Sequence, residues 1–252
     1  IMSGHSKWAT IKHKKGAADA RRGQVFTKLI KEISIAARIG GGDPDSNPRL
    51  RTAILGARQE NMPQDNIKRA ILRGTGQLEG AAIEEVHFEG YGPGGVAMIV
   101  QATTDNRNRT VNEIRHIFTR FGGKMGEPGS VARLFSQKGY LVVPKEKASE
   151  EKLMGIVLDA GAEDLRDDGS SWEVISPPES FEPVRNALVA NQCSPAVAEI
   201  SMLPANYVHL EGSQAHHMLK LMEELEDHED VQHVYANFDI SEKEIQEAVA
   251  PM

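Results

Sequence analysis

The chain has 252 residues, of which 40% are hydrophobic and 26% are charged. This composition excludes a fibrous or intrinsically disordered chain, and the length favours two or three domains. The net charge of −7 hides a strong asymmetry, since residues 1–75 carry 15 Lys or Arg against 6 Asp or Glu, whereas residues 141–252 carry 7 against 23. Charge that changes sign along the chain predicts a basic, polyanion-binding part joined to acidic parts.

Hydropathy and cysteine content indicate in which cellular compartment the protein is expected. The sequence has no run of about 18 apolar residues, so we expect no membrane span. The basic N-terminal residues are not followed by the apolar segment of a secretory signal. The single cysteine, Cys193, excludes an intramolecular disulfide and is typical of a reducing compartment. We therefore expect a cytoplasmic protein.

Residues 3–22 are polar, basic and rich in Gly and Ala, which predicts an extended arm or a loosely held helix start. Trp8 has two interpretations: it stacks on a nucleobase, or it packs and fixes the arm to the helical part. Packing is the commoner fate of a lone Trp. The candidate nucleic-acid-binding residues of this segment are Lys7, Trp8, Lys12, His13, Lys14, Lys15, Arg21 and Arg22.

Residues 24–39 have the periodicity of an amphipathic helix, with Phe26, Leu29 and Ile33 on the apolar side. Lys28, Lys31 and Arg38 fall on the opposite side and join the candidate binding residues. Two further helices are expected: Asn47 before Pro48 is an N-cap signal, and Pro63 opens the next helix. Short connections between three helices predict a small bundle.

From residue 77 onward the patterns predict strands as well as helices. Residues 139–204 have the order βαββαβ of a ferredoxin-like unit. A second unit combines a strand at 96–103, a helix at 108–121 and a strand at 130–135 with a strand at 207–210, a helix at 213–226 and a strand at 231–238. We therefore predict an α+β protein: an N-terminal three-helix domain followed by two ferredoxin-like α/β domains, one inserted into the other. The predicted limits are 1–76 for the basic helical domain, 77–138 with 205–240 for the split domain, 139–204 for the inserted domain and 241–252 for a C-terminal tail.

Catalytic motifs are hard to find. The sequence has no phosphate-binding P-loop, no zinc-protease motif, no paired-cysteine motif and no nucleophile elbow. The nine histidines are scattered, and His216 and His217, being adjacent, would point about 100° apart on a helix. We predict no enzyme activity, no cofactor and no specific metal site.

Two glycine- and arginine-bearing stretches leave alternatives open. Residues 91–95, YGPGG, form either a plain hairpin turn or an anion-binding turn. At residues 105–110 a helix begins where Arg107 and Arg109 could meet a phosphate together with backbone N–H groups. Capping by Asp105 or Asn108 explains the polar residues there equally well, but leaves the two arginines unexplained.

Several motifs resemble the YebC/PmpR family: MSGHSKWATIKHKK at 2–15, FTKLIKE at 26–32, NMPQDNI at 61–67, YGPGG at 91–95, TDNRNRT at 104–110 and FGG at 121–123. The resemblance spans essentially the whole chain. It implies a helical N-terminal domain, two α/β domains and a cytoplasmic, non-enzymatic regulator. Members are described as probable DNA-binding transcriptional regulators, a mitochondrial relative is a translational activator of cytochrome c oxidase, and bacterial members have been linked to the ribosome.

We therefore expect a DNA-binding transcriptional regulator that uses its basic arm and first helix on phosphates. The alternative is a translation factor that uses the same surface on ribosomal RNA, because phosphate contacts carry no sequence information. The acidic C-terminal domains would serve as scaffold, or would bind the ribosome or basic protein partners. We expect no membrane partner.

Overall fold

A computed structural model describes residue 8, residues 19–79 and residues 82–249; for residues 19–22, 242 and 247–249 it describes the backbone alone. The helices are α1 Asp19–Gly40, α2 Pro48–Gln59, α3 Gln64–Gly74, α4 Arg107–Arg120, α5 Glu150–Asp159, α6 Phe181–Ala190, α7 Gly212–Asp227 and α8 Glu242–Val249. The strands are β1 Glu84–Tyr91, β2 Ala97–Thr104, β3 Lys124–Met125, β4 Phe135–Pro144, β5 Asp164–Asp167, β6 Ser171–Ser176, β7 Val197–Pro204, β8 Val208–His209, β9 Val231–Ala236 and β10 Phe238–Asp239.

The first three helices form the predicted bundle. Asn47 caps α2, because its Oδ1 accepts a hydrogen bond from the Leu50 N–H at 3.1 Å. Its Nδ2 donates to the carbonyls of Ala36 and Gly41, each at 2.8 Å, and so joins the end of α1 to the start of α2. The apolar stripes of all three helices meet in one core, in which the buried residues include Ile33, Ala36, Leu50, Ala57 and Ile67.

A four-stranded antiparallel sheet follows, with the order β3-β1-β2-β9. Helices α4 and α7 contribute Ile114, Phe118, Met218 and other buried residues to its core. Gly90 lets β1 approach α4 closely, since a Cβ there would lie 2.8 Å from the Phe118 ring. This sheet, the first sheet below, takes its strands from both sides of a long interruption in the sequence.

Residues 135–204 form the second sheet, with the order β5-β6-β4-β7 and helices α5 and α6. If the four strands are numbered 1 to 4 along the chain, their order across the sheet is 2-3-1-4. This is the arrangement of a ferredoxin-like βαββαβ unit. The helical N-terminal part and the two antiparallel sheets confirm the predicted α+β class, with the second sheet inserted between strands of the first. The predicted domain limits stay a prediction.

The predicted strand at residues 130–135 is wrong. The edge of the first sheet is instead β3, and a short 3₁₀ helix occupies Ala132–Leu134. The reason is Glu89, whose carboxylate accepts backbone N–H bonds from Gly129 at 2.6 Å, Val131 at 2.7 Å and Ala132 at 2.9 Å. Donors held by a side chain in this way cannot also form a strand ladder.

The predicted strand at 207–210 does not join the first sheet either. It is β8, and it pairs in parallel with β10 as a separate two-stranded sheet. The predicted strand at 231–238 is divided correspondingly into β9 and β10. Within the predicted C-terminal tail, residues 242–249 form α8, and Ile245 is buried in the core of the first sheet. Among the residues that the structure describes, no helix combines the length and apolar character that a membrane crossing requires.

Candidate nucleic-acid interface

Part of the predicted binding set lies outside the described residues: Lys7, Lys12, His13, Lys14 and Lys15. Arg21 and Arg22 lie in the first turn of α1, where the backbone alone is described. The remaining candidates, Trp8, Lys28, Lys31, Arg38, Arg107 and Arg109, can be placed in full.

Trp8 is buried, with 3% of its surface exposed. The indole belongs to the core of the first sheet, and its Nε1–H donates to the carboxylate of Glu226 on α7, at 3.1 and 3.2 Å to the two oxygens. Packing is therefore the interpretation that the structure supports for Trp8. It packs in the core of the first sheet, and its polar partner is on α7.

Lys28 and Lys31, predicted to face a nucleic acid, face the C-terminal end of α7. The Lys28 Nζ donates to the carbonyl of Glu226. The Lys31 Nζ forms an ion pair with Asp230 and lies 3.2 Å from the carbonyl oxygen of Glu229. These two lysines attach α1 to an acidic turn of the first sheet, so their charge is used within the molecule.

Asp230 is the centre of this contact, and its side chain has no exposed surface. One carboxylate oxygen is bound by Lys31, while the other accepts from the Arg109 guanidinium at 2.9 Å and from the Thr110 hydroxyl at 2.6 Å. Burial alone would raise the pKa of Asp230, but the hydrogen bonds from Lys31, Thr110 and Arg109 outweigh it and lower the pKa to about 2. Asp230 is therefore charged at neutral pH.

Arg109 is a partner of this buried carboxylate and not a free phosphate ligand. It also lies 3.3 Å from Asp105, and its backbone N–H donates at 3.1 Å to the side chain of Asn106. The capping residue of α4 is thus Asn106, not Asp105 or Asn108 as predicted. Arg107 is mostly exposed and stands 3.9 Å from Glu84, a separation that leaves it accessible to an anion.

The YGPGG stretch is a hairpin turn between β1 and β2. Gly94 and Gly95 have φ values of 69° and 79°, the left-handed region that favours glycine. A Cβ on Gly94 would lie 2.4 Å from Leu210 Cδ2. Because the turn packs against this apolar side chain, the structure favours the hairpin interpretation over an anion-binding turn.

Four cations of the described part of the bundle, none of them selected as binding residues, have exposed side chains without a partner. Arg58 on α2 and Lys68, Arg69 and Arg73 on α3 are all exposed, and none has an ion pair or hydrogen bond to another described residue. The sequence held a signal for them, since Lys68 and Arg69 lie opposite the stripe of Ile67 and Ala70 that the periodicity places inside. We call Arg58, Lys68, Arg69 and Arg73 the open cation set.

Arg73 connects the open cation set to the basic side of α1. Together with Arg38 it lines a cavity of about 480 Å³ between α1, the end of α3 and the chain that leads into β1. A smaller cavity of about 270 Å³ has Arg73 and Lys31 in its lining. The Arg38 guanidinium is tied to the carbonyl of Ile83 at the border of the larger cavity. Positive charge therefore continues from α3 onto α1.

The chemistry of one acidic cluster is unsuited to a metal ion, although ligand atoms of Glu113, His228 and Asp230 lie within 4.8 Å of one another. The His228 Nδ1 accepts the Asp230 N–H at 3.1 Å, so its Nε2 carries the proton and donates to Glu113 at 2.9 Å. Asp230 is occupied by Lys31 and Arg109, whose charges would also oppose a cation. The cluster fits a structural network better than a metal site.

The chain matches two family models: "TACO1/YebC protein N-terminal domain" over residues 6–77, and "TACO1/YebC second and third domain" over residues 83–238. A "Probable transcriptional regulatory protein" of Acidobacterium capsulatum is 61% identical over 243 residues, covering 96% of this chain and 98% of that relative. A protein of the same description from Solibacter usitatus is 62% identical over 245 residues, covering 97% and 98%. The crystal structure of a conserved hypothetical protein from Aquifex aeolicus is similar with a TM-score of 0.77 and 46% identity, over 88% of this chain and 92% of that one.

Proposed function

Because the chain belongs to the TACO1/YebC family, we propose that it is a non-enzymatic regulator that binds DNA through the open cation set and the basic N-terminal arm. Relatives at about 60% identity are named probable transcriptional regulatory proteins, and DNA is the polyanion that a regulator of transcription would bind. The observation that supports this proposal most is the set of four exposed cations without a described partner, on a bundle in which Lys31 and Arg49 are already paired with acids.

The division of the basic residues explains why α3 replaces α1 as the main phosphate-binding surface in this proposal. A lysine that binds a phosphate must release its previous partner, and Lys31 would leave one oxygen of the buried Asp230 carboxylate without its cation. Arg69 and Arg73 have no described partner to release. Contacts from such residues carry affinity and salt dependence, but no sequence information.

The alternative is that the same surface binds ribosomal RNA. A competition experiment decides between DNA and ribosomal RNA as the target. Full-length protein is given one labelled DNA duplex, with unlabelled duplexes of other sequence and ribosomal RNA as competitors at physiological salt. We expect the duplexes to compete to within about tenfold of one another, as backbone contacts predict. A preference of more than about a thousandfold for one duplex would show base reading instead, and a strong preference for ribosomal RNA would favour the translation role.

A further inference from the structure

A cleft opens where the helical bundle, the first sheet and the second sheet meet. Its volume is about 360 Å³, and its floor is the face of the first sheet opposite α4 and α7. Arg49 and Glu32 of the bundle form one wall, and Ile200 and Met202 of β7 form another. This volume is at the small end of the range for ligand sites and suits a single nucleoside better than a helix or strand of a partner.

The floor of the cleft carries a pair of stacked rings. His233 and Tyr235 lie with their ring centroids 6.0 Å apart and their planes within 12° of parallel. His233 is exposed, whereas Tyr235, two residues further along β9, is buried. Although part of His233 is exposed, the protein around it desolvates the imidazole, which lowers its pKa and favours the neutral form. A flat, neutral ring that already stacks on a second ring is one on which a base can also stack.

Two polar groups beside these rings are buried without a hydrogen-bond partner in the described part of the chain: the Thr103 Oγ1 and the Gln232 Nε2. Thr103 is only 1% exposed, and both residues line the cleft. Buried donors are normally satisfied, and exceptions often belong to functional sites. Both groups are therefore available to a ligand that a small side-chain rotation would bring within reach.

The position of Gln232 results from an irregularity in the sheet. Val231 pairs with Ala102 and His233 pairs with the adjacent Gln101, so Gln232 has no partner residue on β2. Such a bulge redirects a side chain and is over-represented near functional sites. In this sheet it places an unpaired amide in the lining of the cleft beside the ring pair.

The charges of the cleft exclude a phosphate as its main ligand. Arg49 is held between Glu32 at 2.7 Å and Glu85 at 2.9 Å, so its charge is already balanced. The remaining polar lining is neutral and includes the amides of Gln101, Gln137 and Gln232. An amide edge beside a stacking ring matches the donors and acceptors of a nucleobase.

We propose that this cleft binds one unpaired nucleobase of a single-stranded nucleic acid, which stacks on His233 with its edge toward Gln232 and Thr103. The inference rests on the proposed function, in that the open cation set would hold the phosphates while the cleft holds a base. It adds a preference for unpaired over paired strands, since a base within a duplex cannot enter the cleft.

The test compares wild type with Thr103→Val and Gln232→Leu of the full chain. Ser176→Ala is the matched control, because the Ser176 Oγ is also buried and without a described partner but lies on β6, outside the cleft lining. Each protein is titrated with a single-stranded 12-mer, with the same backbone lacking its bases, and with a duplex. We expect both cleft variants to lose on the order of tenfold in affinity for the 12-mer, and to bind the abasic strand and the duplex as wild type does.

Thermal stability separates binding from folding in this experiment. Thr103→Val removes an unsatisfied hydroxyl, so its Tm should equal or exceed that of wild type. Equal affinities of all proteins for the 12-mer would overturn the nucleobase proposal while leaving phosphate binding intact. If no oligonucleotide binds, the proposed function fails. Titration of the full chain with adenosine and with cytidine then still decides whether the cleft binds a nucleobase. If the nucleoside shifts the NMR signals of the His233 ring in wild type and Gln232→Leu abolishes that shift, base binding in the cleft is supported. If the signals do not shift in wild type, the nucleobase proposal is overturned.

Discussion

Lys31 of α1 forms an ion pair with the fully buried carboxylate of Asp230, a residue 199 positions further along the chain. The pair joins the helical bundle to the turn between α7 and β9. It also changes the role of a lysine that the charge pattern assigned to nucleic acid. The basic side of α1 contacts the first sheet, and the described cations of the bundle that have no partner are Arg58 of α2 and Lys68, Arg69 and Arg73 of α3.

Replacing the buried acid should destabilise the protein strongly. Asp230→Asn removes the acid that pairs with Lys31 and the nearest acid to Arg109, and breaking one side of a buried ion pair typically costs about 3–5 kcal/mol. Urea denaturation followed by circular dichroism measures the difference. Asp105→Asn is the matched control, because Asp105 also contacts Arg109 but is largely exposed, and it should cost less than about 1 kcal/mol. Equal losses in the two variants would contradict the assigned role of Asp230.

Acid should weaken the same contact in a defined pH window. The pKa of Asp230 is lowered from an ordinary 3.8 to about 2, so the folded state favours the charged form. The contribution of charged Asp230 to the folding free energy is complete when the pH is above the ordinary, unfolded-state pKa. It is lost as the pH falls through the pKa of the folded state. The difference in unfolding free energy between wild type and Asp230→Asn should therefore shrink between pH 4 and pH 2. A difference that stays constant across this window would contradict the lowered pKa.

The fluorescence of Trp8 should change when the protein unfolds and should not change when it binds a nucleic acid. In a Trp172→Phe background, Trp8 is the remaining tryptophan of the chain. Because the indole is buried beside α7, we expect emission at short wavelength that an added oligonucleotide does not quench. Strong quenching on binding would indicate that Trp8 leaves the core and stacks on a base. In urea denaturation followed by circular dichroism, Trp8→Ala should lower the unfolding free energy by about 3–5 kcal/mol.

Glu89 should hold the loop that replaces the predicted strand. Its burial would raise its pKa, but the N–H groups of Val131, Gly129 and Ala132 lower it by binding the charged carboxylate. Glu89→Gln keeps the shape and loses these charge-assisted bonds, at a cost of about 1–3 kcal/mol. Limited proteolysis should then cut residues 126–134 faster. Glu127→Gln, in the same exposed loop, is the control, and equal cleavage of both variants would contradict this role.

Local signals predicted most of the fold. The stripes of α2 and α3, the Asn47 cap and the βαββαβ order of residues 135–204 depend on neighbouring residues, so periodicity and capping preferences reveal them. The errors occurred where a distant side chain decides the local structure. Glu89 captures three N–H groups some 40 positions away, and no pattern within residues 130–135 reports that contact.

The candidate site shows the same limit. Counting charges located the basic end of the molecule, but it could not tell which cations have partners. Lys28 and Lys31 share a helix face in the sequence pattern, yet the carbonyl of Glu226 and the carboxylate of Asp230 bind them from a different part of the chain. The bulge that redirects Gln232 likewise arises from the pairing of β9 with β2 and has no signature in the sequence of β9 alone.

The salt dependence of DNA binding tests the central claim most directly. Each phosphate contact contributes about −0.9 to the slope of log affinity against log salt on duplex DNA. Arg69→Ala with Arg73→Ala should therefore flatten the slope by about 1.8 relative to wild type. The control is Arg166→Ala with Arg185→Ala, which removes two cations already paired with Asp164 and Glu182 and should leave the slope unchanged. An unchanged slope after removal of Arg69 and Arg73 would contradict the account.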